Sequence, residues 1–322
     1  MKAIVYDKYG PPDVLKLTEV EKPVPKDNQV LVKIRAASVN YGNLVLLKGE
    51  PFLARFAFGL LKPKYPIPGG DIAGQVEVVG KEVTQFQPGD EVFGDLSGCG
   101  WGGFAEYVAV PENALVLKPA NLSFEEAAAV PMASVTALQS LRDKGEIQAG
   151  QKVLIYGASG GVGTFAIQIA KAIGAEVTAV CSTRNVDIAK SIGADHVIDY
   201  TKEDFTQKTE RYDVILGANG SQPISVYKRA LNSNGIFVHV GGSGTQMFQA
   251  MVMGPWISMI ERKKVGIFLQ RANQKDLIYI KELLETDKVK PVIDRQYTLV
   301  EVPEAFKYFA EGHAQGKVVI SV

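Results

Sequence analysis

The spacing of apolar and polar positions changes once along the chain. Up to about residue 120, short β-branched runs (IVYDKYG, VLVKIRAASV, AGQVEVVG and EYVAVPENALVL) are broken by Gly, Pro and Asn. In QFQPGDEVFG, Pro88 and Gly89 mark a turn before a further short strand. Such a succession of strands predicts a small barrel or sandwich. From about residue 122 the spacing becomes helical. LSFEEAAAVPMASVTALQSLRD is rich in Ala, and Ser123 with Glu125 and Glu126 suits a helix start. Strands then alternate with helices, with strands expected at 153–156, 176–181, 196–199, 213–217, 235–240 and 265–270. Six strands with helical crossovers predict a doubly wound parallel sheet in an α/β fold. The helix DLIYIKELLE leads to VIDRQYTL, PEAFKYFAEG and KVVISV. These last elements match the first region, so the chain end is expected to return there.

The stretch VLIYGASGGVGTFAIQIAKAIG, residues 153–174, carries the strongest chemical signal. A buried-strand pattern runs into Gly157, Gly160, Gly161 and Gly163, then into a helix pattern ending at Gly174. A second strand, AEVTAVC, follows at the distance expected of a dinucleotide-binding βαβ unit. Glycines let the backbone approach a pyrophosphate, and the helix N-terminus offers it N–H groups and a positive dipole end.

Composition narrows the picture further. The chain has 322 residues, 46% hydrophobic and 22% charged, enough for about two domains. Net charge is zero, which gives no support to a nucleic-acid partner. No run reaches the about 18 apolar residues of a membrane span, and MKAIVYDKYG reads as a strand rather than a signal peptide. Cys99 and Cys181 form no disulfide framework, which fits a reducing, cytoplasmic setting. Two segments stand apart: 51–67 is apolar, aromatic and basic, and 246–265 carries four Met and a Trp. Each reads as core or dimer contact, as a flexible apolar wall over a substrate pocket, or as a membrane-surface segment. The three histidines, His196, His239 and His313, read as structural.

AASVNYGN, PGGDIAGQVEVVG, PGDEVFG, GGFAEYVAVP, AAAVPMASVTAL, GASGGVG, KSIGADHVIDY and GHAQGKVVI occur in order across nearly the whole chain. The sequence resembles the medium-chain dehydrogenase/reductase superfamily, within it the zinc-free quinone oxidoreductase (zeta-crystallin-like) branch. The resemblance implies a GroES-like β-barrel domain built from residues 1–122 and 290–322. It implies an inserted Rossmann domain over 123–289 with a six-stranded sheet, and a cofactor cleft between the two.

Zinc enzymes of the superfamily place Cys, His and a further Cys or Asp around the metal. Here Asn40 stands where the first Cys falls, and Gly69-Gly70-Asp71 where Gly-His-Glu falls. No Cys lies between 120 and 140, and the four-Cys structural lobe is missing. No metal is therefore expected, and Asp71 is read as capping a turn. Without a Lewis acid, hydride delivery to a polarised alkene or quinone is easier than oxidation of an alcohol.

For the cofactor, an NAD enzyme carries an acidic residue at the end of the second strand. Here that end reads Cys181-Ser182-Thr183-Arg184-Asn185, so Ser182 and Arg184 suit the 2′-phosphate of NADPH. Ser159, Gly160, Gly161 and Val162 form the phosphate turn. By resemblance, Tyr200 lies beside the adenosine phosphate and Asn219, after Ala218, along the cofactor ribose. Val240, Gly241, Gly242 and Ser243 lie beside the nicotinamide, and Phe268 and Leu269 hold its carboxamide. Lys317 reaches the cofactor from the returning chain end. Asn40 and Thr136 are the residues expected at the nicotinamide ribose and ring. Relatives often have Tyr or Lys five residues after the asparagine; Val45 stands there instead, which puts a side-chain proton donor in doubt. The expectation is an NADPH-dependent, zinc-free, homodimeric reductase of small-molecule quinones or α,β-unsaturated carbonyls. The alternatives are an enoyl-thioester reductase and a non-catalytic NADPH- or RNA-binding crystallin-like protein.

Overall fold

A computed structural model of the chain describes residues 1–220, 222–241 and 262–322. The chain divides into two compact units. One contains Met1–Ala133, Arg271–Glu285 and Pro291–Val322; the other contains Ser134–Gln270 and Thr286–Lys290.

The first unit begins with β1 (Lys2–Val5) paired antiparallel to β2 (Lys16–Glu19). β3 (Gln29–Val39), β4 (Asp71–Val79), β5 (Glu91–Asp95), β6 (Tyr107–Pro111) and β7 (Leu115–Leu117) follow. β3 shows why a sheet forms here. Val30, Val32 and Ile34 are buried, while Lys33 and Arg35 alternate to solvent. The core gathers these residues with Ile72, Val92, Leu96, Phe104 and Phe306.

Among the described residues of the second unit, all strands are parallel. They are β8 (Lys152–Tyr156), β9 (Glu176–Cys181), β10 (His196–Asp199), β11 (Tyr212–Gly217), β12 (Leu231–His239) and β13 (Lys264–Ile267). Their order is β10-β9-β8-β11-β12-β13. The order reverses between β8 and β11, the topological switch at which open α/β sheets take ligands. The helix Gly161–Ile173 is buried along most of its length and ends on Gly174, whose φ of 96° suits the left-handed cap. Gln168 on this helix exchanges hydrogen bonds with the Lys290 backbone, at 2.9 Å and 2.8 Å, and so ties the short segment Thr286–Lys290 to this unit.

The chain end then re-enters the first unit. β14 (Ile293–Thr298) pairs parallel with β15 (Lys317–Ser321), and β15 pairs antiparallel with β3. The completed sheet runs β14-β15-β3-β4-β5-β7, with β6 also on β3.

Three features differ from the sequence pattern. The first unit extends to Ala133 rather than 122. It also contains the helix Gln274–Glu285, which the pattern put in the inserted domain. Gln274 Nε2 donates to Leu115 O at 2.8 Å, and Asn121 Nδ2 donates to Leu284 O at 3.1 Å. The segment 51–67 is not core: Phe52, Leu53, Phe56 and Leu61 are exposed, although Phe58 and Tyr65 pack partly against the core. Most of 246–265, together with Gly242 and Ser243, lies outside the described residues. Among the described residues, no helix is long and apolar enough to cross a membrane.

Candidate cofactor site

Because the six strands of the second unit are parallel, their C-terminal ends share one edge of the sheet. The segments that leave that edge carry most of the residues singled out from the sequence. Ser159, Gly160, Gly161 and Val162 follow β8; Ser182 and Arg184 follow β9; Tyr200 follows β10. Asn219 follows β11, Val240 and Gly241 follow β12, and Phe268 and Leu269 follow β13. Backbone bonds knit these turns together. Gly157 and Ala158 donate to Val180 O at 3.2 Å, Ala218 donates to Tyr156 O at 2.9 Å, and Gly220 donates to Gly241 O at 3.1 Å. Tyr200 and Leu269 are exposed, at 54% and 77%.

The glycines of the turn do different work. Gly157 has φ of 80°, and a Cβ on it would lie 2.7 Å from Asn219 N. A Cβ on Gly163 would lie 2.2 Å from Gly157 O. These two are required by the protein itself. Gly160 is not: its φ is −80°, and a Cβ there would meet nothing nearer than Gly157 O at 3.7 Å. Gly160 faces open space immediately before the helix Gly161–Ile173 and offers that helix no side-chain cap. The N–H groups of the first turn have no intrahelical acceptor. Open space, free N–H groups and a positive helix end suit a pyrophosphate.

At the neighbouring strand end, Asn185 is the residue that sequence reasoning missed. It is 5% exposed; its Nδ2 donates to Ser159 Oγ at 2.8 Å and to Ser182 Oγ at 3.1 Å. It thereby links the glycine turn to the end of β9. An uncharged amide at this strand end carries no sequence signal for phosphate binding. The nearby carboxylate, Asp199, accepts from Thr183 Oγ1 at 2.5 Å and from Thr201 Oγ1 at 2.7 Å. These bonds, the one from Thr183 foremost, hold its pKa down at about 2.

In the first unit, β15, β3 and β4 are neighbours. Val318 pairs with Val39 and Asp71 with Ser38, so the start of β15, the end of β3 and the start of β4 converge. There Asp71 is fully buried rather than capping a turn. Its carboxylate accepts from Ser38 Oγ at 3.0 Å, Asn40 Nδ2 at 2.8 Å and Met132 N at 2.9 Å. Lys317 Nζ lies 3.4 Å from Asp71 Oδ2, donates to Val39 O at 3.3 Å, and bonds Asn40 Oδ1. Lys317 was expected to reach a cofactor; instead it is 2% exposed and its three N–H groups are directed at protein oxygens. Burial pushes its pKa below the usual lysine value, opposed by the Asp71 charge. Asn40 is thus held on both amide atoms, while its backbone N–H donates to Asn43 Oδ1 at 2.7 Å. Val45 is half-buried in the helix Tyr41–Lys48. Thr136 lies buried in the helix Pro131–Gln139.

Among the described residues, no three His, Cys, Asp or Glu side chains are grouped to hold a metal. Cys181 is buried and its thiol is pushed up to about 11, so it stays protonated near neutral pH.

Residues 26–120 match the family model described as alcohol dehydrogenase GroES-like domain, and 192–320 the one described as zinc-binding dehydrogenase. A chloroplast envelope quinone oxidoreductase homolog of Arabidopsis thaliana is 35% identical, over 99% of this chain and 98% of its own. The chain belongs to the medium-chain dehydrogenase/reductase superfamily. Another Arabidopsis thaliana superfamily relative, a chloroplastic NADPH-dependent alkenal/one oxidoreductase, is 35% identical over 99% of this chain and 79% of its own. The structure of the quinone oxidoreductase from Coxiella burnetii matches with a TM-score of 0.87 at 32% identity, covering 100% of this chain and 99% of that one. The superfamily's α/β fold, GroES-like domain plus six-stranded Rossmann-like sheet, is the one described above.

Proposed function

We propose that this protein is an NADPH-dependent oxidoreductase that reduces quinones or the C=C bond of α,β-unsaturated carbonyls without zinc. The observation that carries the reading is the strand-end edge of the second unit. There Gly160 faces open space before a long helix, and the β9 end presents Ser182 and Arg184 instead of a carboxylate. In this reading the turn Ser159–Gly160–Gly161–Val162 takes the pyrophosphate, and Ser182, Arg184 and Tyr200 take the adenosine 2′-phosphate. Asn219, Val240, Gly241, Phe268 and Leu269 take the nicotinamide half. NADPH supplies the hydride when bound. In this reading the second unit holds the cofactor. Asp71 takes one Nδ2 hydrogen of Asn40, which leaves the other available to a further acceptor.

Zinc independence is part of the proposal. Asn40 and Gly70 are poor zinc ligands, and the Lys317 ammonium already stands beside the buried Asp71 carboxylate. A divalent cation there would face an existing cation. The proposal also includes a homodimer in a reducing, cytoplasmic setting, consistent with the free cysteines Cys99 and Cys181.

The test is NADPH oxidation against quinones, enones, simple ketones and enoyl-thioesters, with and without a strong chelator. Turnover of quinones or enones, unaffected by chelation, is expected. Turnover confined to simple ketones, or abolished by the chelator, contradicts the reading; a clear preference for enoyl-thioesters moves the assignment to a thioester reductase.

A further inference from the structure

Asn185 is placed as the N-cap of the short helix Val186–Ser191, but its side chain makes no capping bond. Asn in that position ordinarily accepts from a first-turn N–H. Here both hydrogens of Nδ2 go to Ser159 Oγ and Ser182 Oγ, while Oδ1 is buried with no partner among the described residues. The side chain is therefore positioned for the two serines and not for the helix.

A serine hydroxyl has one O–H to donate and two lone pairs to accept. Each serine accepts an N–H from Asn185, so each O–H is left to point away from it. Both serines are half-buried and remain reachable from outside. The carboxylate of Asp199, at the end of β10, is bonded to Thr183 and Thr201. Both hydroxyls lie within hydrogen-bond reach of one nitrogen, which is close enough for a single phosphate to accept from both.

We propose that Asn185 is a positioning residue that turns Ser159 and Ser182 into a pair of donors for one phosphate, the cofactor's 2′-phosphate. This rests on the NADPH reading above. The glycine turn thus takes part in telling NADPH from NADH through Ser159, a task otherwise left to the β9 end. An amide suits the role because it donates two hydrogens and adds no negative charge beside the phosphate. Aspartate, nearly the same shape, would do the reverse: it would accept the serine protons, turn the hydroxyls inward and repel the anion.

The experiment is calorimetric binding of 2′,5′-ADP and of 5′-AMP to the full chain, with Asn185→Leu and Asn185→Asp. Wild type should prefer 2′,5′-ADP. Asn185→Leu should weaken 2′,5′-ADP by about tenfold and leave 5′-AMP within about twofold, as expected for loss of oriented donors to a charged group. Asn185→Asp should weaken 2′,5′-ADP further, and being isosteric it keeps the test available if the leucine variant does not fold. Replacing both serines by Ala in the Asn185→Leu background should add little, since all three act through one contact. Aspartate binding 2′,5′-ADP as well as wild type, or leucine weakening both ligands equally, overturns the role of Asn185. Wild type binding both ligands equally overturns the NADPH reading instead.

Discussion

Lys317 and Asp71 are 246 residues apart in sequence, and each is almost wholly withdrawn from water. Such a pair is tolerated when further hydrogen bonds complete both partners, and Ser38, Asn40, Met132 and Val39 supply them here. Removing one partner strands the other. Lys317→Met should therefore cost about 3–5 kcal/mol in chemical denaturation. Adding Asp71→Asn should restore a large part of it, whereas a single variant as stable as wild type would contradict the pairing. His239 gives a pH dependence of defined sign. It is 3% exposed, its Nδ1 has no partner among the described residues, and burial pushes its pKa down. As pH falls, the unfolded chain takes up the proton first. The contribution of neutral His239 is full above about pH 6.5 and is lost as pH falls through its lower folded value. Melting temperature should thus fall less between pH 7.5 and 5.5 in His239→Gln than in wild type; equal slopes would remove His239 from the account.

At the scale of the element, the turn between β8 and the helix Gly161–Ile173 separates folding from binding within seven residues. Gly163→Ala puts a Cβ 2.2 Å from Gly157 O, so the helix must shift, at a cost of about 1–3 kcal/mol. Gly160→Ala meets no close atom and needs no unusual φ, so stability should change by less than about 1 kcal/mol. Its methyl would occupy the space offered to the pyrophosphate. NADPH affinity, read by fluorescence titration, should fall by about tenfold or more, or about 1.4 kcal/mol. Unchanged affinity in Gly160→Ala would mean that the pyrophosphate does not approach this residue. This turn was legible in the sequence because glycine spacing and β-branched runs are local signals. The six parallel strands were legible for the same reason, although β12 starts at Leu231 rather than 235. The Lys317 cluster was not, because it exists only once β15 docks beside β3. Nor was Asn185, whose role depends on two serines brought together by neighbouring strand ends. The exposed apolar side chains of 51–67 rule out only the core reading of that segment, since hydrophobicity alone does not say which way a loop faces.

At the scale of the whole molecule, β13 is the outer strand of the second unit's sheet among the described residues, and it carries Val265 and Ile267. Apolar edges of this kind are usually covered, and pairing with a second copy in a two-fold dimer is one way to cover them. Sedimentation at micromolar concentration should give a dimer; a monomer alone would contradict this. With Lys317 in place of a metal and Val45 where a proton donor would stand, the enolate formed from an enone can be protonated by water. Hydride addition to a simple ketone instead leaves the charge on a single alkoxide oxygen, with no conjugated system to spread it. The most direct measurement is product analysis after turnover of a simple enone with NADPH deuterated at the transferred position. A saturated ketone with deuterium on the β-carbon is expected. Deuterium on the carbinol carbon of an allylic alcohol would contradict it.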